Sequence, residues 1–325
     1  MKRVFAVLLS FVLLIGISVD AQGGRSGKMR LVYWNIQNGM WDGQTDDYKR
    51  FTDWVKAQKP DVCVWCEAQP IYKTGTYTHL DNIDEWRADG LMTELWKRLG
   101  RRYGHKYVYI SGHRDNYPQV VTSRYPLESV DRITGNADTL VAHGAGWVRL
   151  KLAGRPVNIV TLHTWPHPYG YNVAQEDRER SKAAFGGDKF RRAEMEYICR
   201  HTIGTDIEAA EGLWMMMGDF NSRSRLDNWV YRFAADDTKL LVHDYIMGST
   251  PYVDIIHEGD PVSFFSSTGG KARIDFVYCT PPLAACVVKA EIHTDSYTRP
   301  VRSEVVKSFW EPSAHRPIIV DFLLK

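Results

Sequence analysis

Apolar positions along this chain follow two alternating spacings. Short apolar runs at 28–34, 62–66, 106–110, 119–122, 213–217 and 318–323 read as strands. Within 46–58, Tyr48, Phe51, Trp54 and Val55 recur at helical spacing, and Lys59-Pro60-Asp61 closes the run. Leu91, Leu95, Trp96 and Leu99 make a second amphipathic helix, expected to end at Gly100. The runs 146–152 and 156–162 flank Ala153-Gly154-Arg155, a hairpin signal. The stretch 172–201 reads as one long charged helix with a break expected at Gly186-Gly187, and 272–279 as a strand carrying Asp275. Repeats, low-complexity segments and a linker are lacking, which predicts one domain over residues 28–325. Many short strands with helices between them predict an α/β fold of two packed sheets covered by helices.

The polar residues that follow the strands give this pattern its interest. Asn35, Glu67 and His163 each follow the end of a separate apolar run, and Trp214-Met215-Met216-Met217-Gly218 leads into Asp219 and Asn221. Residues two apart on an extended strand share a face, so Asp219 and Asn221 present an acid and an amide together. If these strands end on one edge, their side chains converge on one cleft.

Composition narrows the setting. Of 325 residues, 44% are hydrophobic, enough for a large core, and the net charge of +2 pushes neither toward nor away from nucleic acid. Five cysteines are an odd number and no disulfide framework; Cys63-Val64-Trp65-Cys66 lies within an apolar run and reads as core. Lys2 and Arg3 precede an apolar segment at 4–19, and Val19-Asp20-Ala21 supplies small residues at cleavage spacing. Residues 1–21 are therefore expected to be a cleavable signal peptide, leaving a secreted or periplasmic chain with no integral membrane span. Oligomeric state is not legible.

The chemistry of the strand-end residues suits phosphate esters. Glu67 is an oxygen ligand of the kind Mg²⁺ takes, and Asn35 can add an amide oxygen. Asp219 can hold or deprotonate a water, and Asn221 can donate to a developing oxyanion. His163 and His315 can grip a phosphate or move a proton, with Asp275 orienting His315. Other chemistries are disfavoured. His163-Thr164-Trp165-Pro166-His167 has zinc-helix spacing, but Pro166 breaks the helix it needs. Walker, dinucleotide and Gly-x-Ser-x-Gly motifs are missing. Lys189, Arg191 and Arg192, mixed with Glu194 and Glu196, read as a solvated helix face.

Six motifs occur in the order found in the endonuclease/exonuclease/phosphatase superfamily, which the chain resembles. They are Trp34-Asn35-Ile36, Cys66-Glu67-Ala68, Leu162-His163, Gly218-Asp219-Phe220-Asn221, Arg273-Ile274-Asp275-Phe276 and Ser313-Ala314-His315-Arg316-Pro317. Ser123-Arg124-Tyr125-Pro126-Leu127 is similar to its strand-linking turn. The resemblance implies a four-layer αββα sandwich of two mainly antiparallel mixed sheets, and phosphoester hydrolysis dependent on Mg²⁺ or Mn²⁺. It implies metal ligation by Asn35 and Glu67, a phosphate-side role for His163, a water-orienting and transition-state pair in Asp219 and Asn221, and an acid–histidine pair in Asp275 and His315. The substrate it implies is a phosphate ester, with nucleic acid, phospholipid head group and phosphosugar all open. Two positions depart from the family pattern: Ala314 stands where an Asp usually precedes the last His, and Gln37 stands where some members carry an acid. Both remove carboxylates, so the alternative expectation is a catalytically weakened binding protein on the same scaffold.

Overall fold

The computed structural model describes residues 27–136 and 140–324, so the expected signal peptide lies outside the described residues. Two six-stranded sheets form the centre. The first contains β1 (Gly27–Asn35), β2 (Val62–Cys66), β3 (Tyr107–Ile110), β4 (Val120–Ser123), β11 (Val287–Ile292) and β14 (Ile318–Leu324), in the order β11-β14-β1-β2-β4-β3. The second contains β5 (Glu128–Gly135), β6 (Leu140–Leu152), β7 (Arg155–His163), β8 (Leu213–Asp219), β9 (Val253–Asp254) and β10 (Asp275–Cys279), in the order β5-β6-β7-β8-β10-β9. A small ribbon pairs β12 (Val301–Arg302) with β13 (Trp310–Glu311).

Period-two alternation in the central strands makes the layers. Met29, Leu31 and Tyr33 of β1 meet Val157, Ile159, Met215 and Met217 of the other sheet in the inter-sheet core. The intervening Val32 and Trp34 face outward and pack with Phe51, Trp54, Met92 and Trp96 from the helices Lys49–Gln58 and Gly90–Arg102. On the far side, Trp214 and Met216 pack with Met195, Ile198, Val242 and Ile246 from the helices Gly186–His201 and Leu241–Ser249. Both faces of each sheet are covered, which gives the expected four layers. Cys63 and Cys66 are wholly buried and free, as core residues.

Several boundaries differ from the sequence expectation for local reasons. The first helix starts at Lys49, because Asp47 and Tyr48 adopt left-handed backbone conformations. The second continues past Gly100 to Arg102. The break expected at Gly186-Gly187 in the charged stretch 172–201 falls just before it: Arg178–Ala183 and Gly186–His201 are separated at Phe185, whose φ is +57°. Strand 272–279 begins only at Asp275, since Arg273 turns to ion pairs and Ile274 stays outside the ladder. Strand 146–152 starts earlier, at Leu140; its first half, with Ala, His and Gly, lacks the β-branched signal. The 153–155 hairpin holds: Ala153 and Gly154 have φ of +50° and +78°, as a tight two-residue turn requires.

The topology brings the chemistry to one edge. β1 and β2 run parallel, with Asn35 opposite Cys66. β7 and β8 also run parallel, with His163 opposite Asp219. β10 runs against β8, so its first residue, Asp275, lies opposite Asp219. β14 runs against β1, so the segment before it arrives at the same edge.

Candidate active site

Asn35, Glu67 and His315 come from the first sheet, and His163, Asp219, Asn221 and Asp275 from the second; they meet across the gap between the sheets. Asn35 is fully buried. Its Nδ2 donates to Glu67 Oε1 at 3.2 Å and to Asp219 Oδ2 at 3.1 Å, while its Oδ1 accepts the Gln37 backbone N–H at 3.1 Å. The amide oxygen is therefore turned to the backbone. Asn35 is placed to hold two carboxylates together. Glu67 Oε2 accepts the Asn38 backbone N–H at 3.2 Å.

Tight backbone at the strand ends sets these directions. Glu67 and Asn221 have φ of +52° and +46°, a region that non-glycine residues rarely occupy. The turn after β1 passes so close to the turn after β2 that a Cβ on Gly39 would lie 2.3 Å from Pro70 N. Asn221 donates its backbone N–H to Asp219 Oδ1 at 2.9 Å and its Nδ2 to the Thr164 carbonyl at 3.0 Å.

His315 is locked from three sides. The Ser313 hydroxyl donates to the Asn35 carbonyl at 2.6 Å and accepts the His315 N–H at 3.1 Å. The Trp34 indole donates to the His315 carbonyl at 2.8 Å. On the ring, Nδ1 lies 2.8 Å from Asp275 Oδ2, and Nε2 lies 3.8 Å from Asp219 Oδ2. Asp275 is itself fixed across the core by the Tyr33 hydroxyl at 2.8 Å and by the Ser267 hydroxyl at 2.7 Å.

Charge follows from this packing. Burial disfavours a charged His315, but Asp275 outweighs it, with help from Asp219, and the imidazole is raised to about 10. Burial, then the neighbouring Asp275, pushes the Asp219 carboxyl up, while His315 opposes the rise. His163 goes the other way: burial first, then His143 and His315, hold it well below the ordinary histidine range. One charged and one neutral histidine thus flank a single acid.

The cleft between them holds about 380 Å³ and is lined by Glu67, His163, Asp219, Asn221 and His315, with Tyr72, Tyr117, Trp165 and Phe309 as its aromatic walls. A larger groove of about 900 Å³ opens at the other end of the sandwich, near Lys106, Arg124 and Lys151; its lining contains no histidine and Glu128 as its one acid. Chemistry, not size, therefore selects the smaller cleft.

Two features were not expected from sequence. His143 lines the cleft; its Nδ1 lies 2.8 Å from Asp115 Oδ2, and its ring lies against His163 with centroids 4.6 Å apart. The helix face with Arg191 and Glu194 is not solvated. Arg191 is 5% exposed and Glu194 fully buried. Arg191 Nη1 donates to the carbonyls of Trp165 and His167, and Glu194 accepts the N–H groups of Ala142 and Trp165. These charges serve the backbone of the loop that forms one wall of the cleft, and burial raises the Glu194 carboxyl to about 7. A mixed-charge helix looks the same in sequence whether it meets water or a polar loop.

The profile of the Endonuclease/Exonuclease/phosphatase family matches residues 32–315, from before the first motif to His315 of the last. The chain belongs to this family. Membership makes it a phosphoester hydrolase. Solved structures share its DNase-like fold. An AP endonuclease from Archaeoglobus fulgidus has a TM-score of 0.60 at 15% identity, over 91% of this chain and all of that one (100%). The human Nocturnin catalytic domain has a TM-score of 0.54 at 14% identity, over 91% of this chain and 93% of that one. A family member from Bacteroides thetaiotaomicron has a TM-score of 0.52 at 14% identity, over 93% of this chain and 100% of that one. No curated protein matches the chain by sequence.

The side chains present fit a divalent cation. Glu67, His163 and Asp219 offer ligand atoms within 4.8 Å of one another, as do Asp219, Asp275 and His315. Asn35 holds the Glu67 and Asp219 carboxylates beside each other, an arrangement that a cation relieves.

Proposed function

We propose that this protein is a secreted or periplasmic phosphodiesterase or phosphatase that depends on a divalent cation, Mg²⁺ or Mn²⁺, and drives water onto a phosphate ester. The observation that carries the reading is the Asp275–His315–Asp219 array at one edge of a cleft whose other edge is Glu67 and His163. A cation held beside Glu67 supplies positive charge to the phosphate oxygens. The protein's own residues do the rest. Asp219, its carboxyl raised by burial, orients the attacking water and takes its proton. His315, kept protonated by Asp275, faces the negative charge that develops on phosphorus-bound oxygens. Asn221 is fixed by Thr164 and has a second amide proton for the same oxygens. His163, neutral in its buried position, contacts the phosphate from the opposite wall.

Export rests on the N-terminal pattern of residues 1–21. Among the described residues, no helix is long and apolar enough to cross a membrane. The substrate is a phosphate ester small enough in its reacting part to enter between Tyr72, Tyr117 and Trp165. The test is release of p-nitrophenol from bis-p-nitrophenyl phosphate with Mn²⁺ or Mg²⁺ against an EDTA control. Metal-dependent turnover supports the reading. Its absence, with absence of turnover on a panel of nucleic acid, phospholipid and phosphosugar substrates, favours the weakened binding protein that Gln37 and Ala314 suggest.

A further inference from the structure

We propose that the cation of this site is bound through an imidazole, by Glu67, His163 and Asp219 together, so that a first-row transition ion such as Mn²⁺ is preferred to Mg²⁺. The proposal rests on the metal-dependent reading above and replaces two of its roles: His163 ligates the cation instead of touching the phosphate, and Asp219 ligates it instead of acting as a free base.

On one side of Glu67 the two further carboxylates of the family pattern are missing. Gln37 Nε2 donates to the Trp310 carbonyl at 3.1 Å, and Gln37 Oε1 accepts the Ala314 N–H at 3.3 Å. The two positions that depart from the family pattern are thus bonded to each other. Gln37 is committed to backbone at both ends, and Ala314 has no side-chain donor. Asn35 turns its oxygen to the Gln37 N–H. Neither of the two departing positions gives Glu67 a second carboxylate from this side.

On the other side two donors face it. Glu67, His163 and Asp219 place their ligand atoms within 4.8 Å of one another. His163 is 3% exposed, and its Nε2 lies 4.0 Å from Asp219 Oδ2, beyond hydrogen-bond reach. Two ligands at about 2.1 Å from one ion, at octahedral or tetrahedral angles, stand roughly 3.0–3.4 Å apart, so His163 and Asp219, 4.0 Å apart, must close by about 1 Å at most, and no pair of the three, all within 4.8 Å, by more than about 1.8 Å. His143, anchored by Asp115, lies against the His163 ring and fixes its plane. Two carboxylates and one imidazole make a mixed oxygen and nitrogen set. Mg²⁺ favours oxygen and water alone, whereas Mn²⁺ and Zn²⁺ accept imidazole, with affinity rising in that order.

The test is binding to the full chain, read by calorimetry with Mg²⁺ and Mn²⁺ alone, and by electron spin echo modulation of the bound Mn²⁺. The expected result is Mn²⁺ binding at least about tenfold tighter than Mg²⁺, with ¹⁴N coupling in the wild type. His163→Ala should abolish the coupling and bring the two affinities within about threefold, while His315→Asn retains the coupling. Wild-type protein without ¹⁴N coupling overturns the proposal, as does coupling lost in His315→Asn and kept in His163→Ala. If His163→Ala does not fold, the wild-type and His315→Asn spectra still decide. These readouts do not require turnover, so a protein that hydrolyses phosphate esters but binds Mn²⁺ without nitrogen refutes only this inference.

Discussion

Asp275→Asn isolates the charge on His315. In the folded protein the imidazole is raised from an ordinary 6.5 to about 10, with burial opposing and Asp275 prevailing. That difference corresponds to about 5 kcal/mol in favour of the imidazolium. The amide keeps an oxygen to accept from Tyr33 or Ser267, so the fold loses little packing, but it presents no charge to Nδ1. Burial then dominates, and His315 becomes neutral at pH 7. An amide in place of the acid also inverts the ring's tautomer, and in hydrolases with an acid–histidine pair this costs about 10⁴-fold. We expect kcat/KM at pH 7 to fall by about 10²–10⁴-fold. The alkaline limb of the pH–rate profile, near 10 in the wild type, should move below neutrality. Stability gives the matching sign. A raised histidine stabilises the fold fully below pH 6.5, and that contribution fades as pH rises through about 10, so urea titrations should show this alkaline loss in the wild type and not in the variant. The assay is p-nitrophenyl ester hydrolysis from pH 5 to 11, with circular dichroism to check folding. A folded variant within about threefold of wild type, its alkaline limb unmoved, would refute the role given to His315.

Glu67→Gln should raise the Mn²⁺ concentration for half-activation at least about tenfold, and an unchanged activation curve would remove Glu67 from the cation's shell. Asp219→Ala and His315→Ala should each cost about 10²-fold or more, and the double variant far less than the product; full additivity in kcat would show that they do not act together. Ala314→Asp should tighten Mg²⁺ by about tenfold or more in calorimetry, since one added charge at roughly 4 Å outweighs considerable desolvation; flat affinity would mean that position 314 faces away from the cation. Arg273 is 2% exposed, with Nε 2.7 Å from Asp227 and Nη2 2.7 Å from Asp254, so Arg273→Met should cost about 3–5 kcal/mol in urea unfolding by stranding two buried acids; a loss below about 1 kcal/mol would contradict that accounting.

The alternation of Met29, Leu31 and Tyr33 with Val32 and Trp34 was already a two-faced buried strand in the sequence, and the same holds for 214–217. Strand-end residues were legible too, because a polar group directly after an apolar run must leave the sheet at its edge. Asn35, Glu67, His163, Asp219 and Asn221 leave their sheets for that local reason, whereas Asp275 begins its strand and His315 precedes its own, and both reach the same edge because β10 and β14 run antiparallel to β8 and β1. What sequence could not carry was which atom each side chain turns to its neighbours. Asn35 directs its nitrogen to the acids because the Gln37 N–H occupies its oxygen. Gln37 and Ala314 are 277 positions apart and bond only because β14 runs antiparallel beside β1. His143 reaches His163 because β6 and β7 pair, and Arg191 and Glu194 are buried because a loop folds over their helix. Spacing along the chain fixes the face a residue occupies, since that depends on backbone period alone. Hydrogen-bond partners and charge depend on residues distant in sequence, and only the packed sheets bring those together.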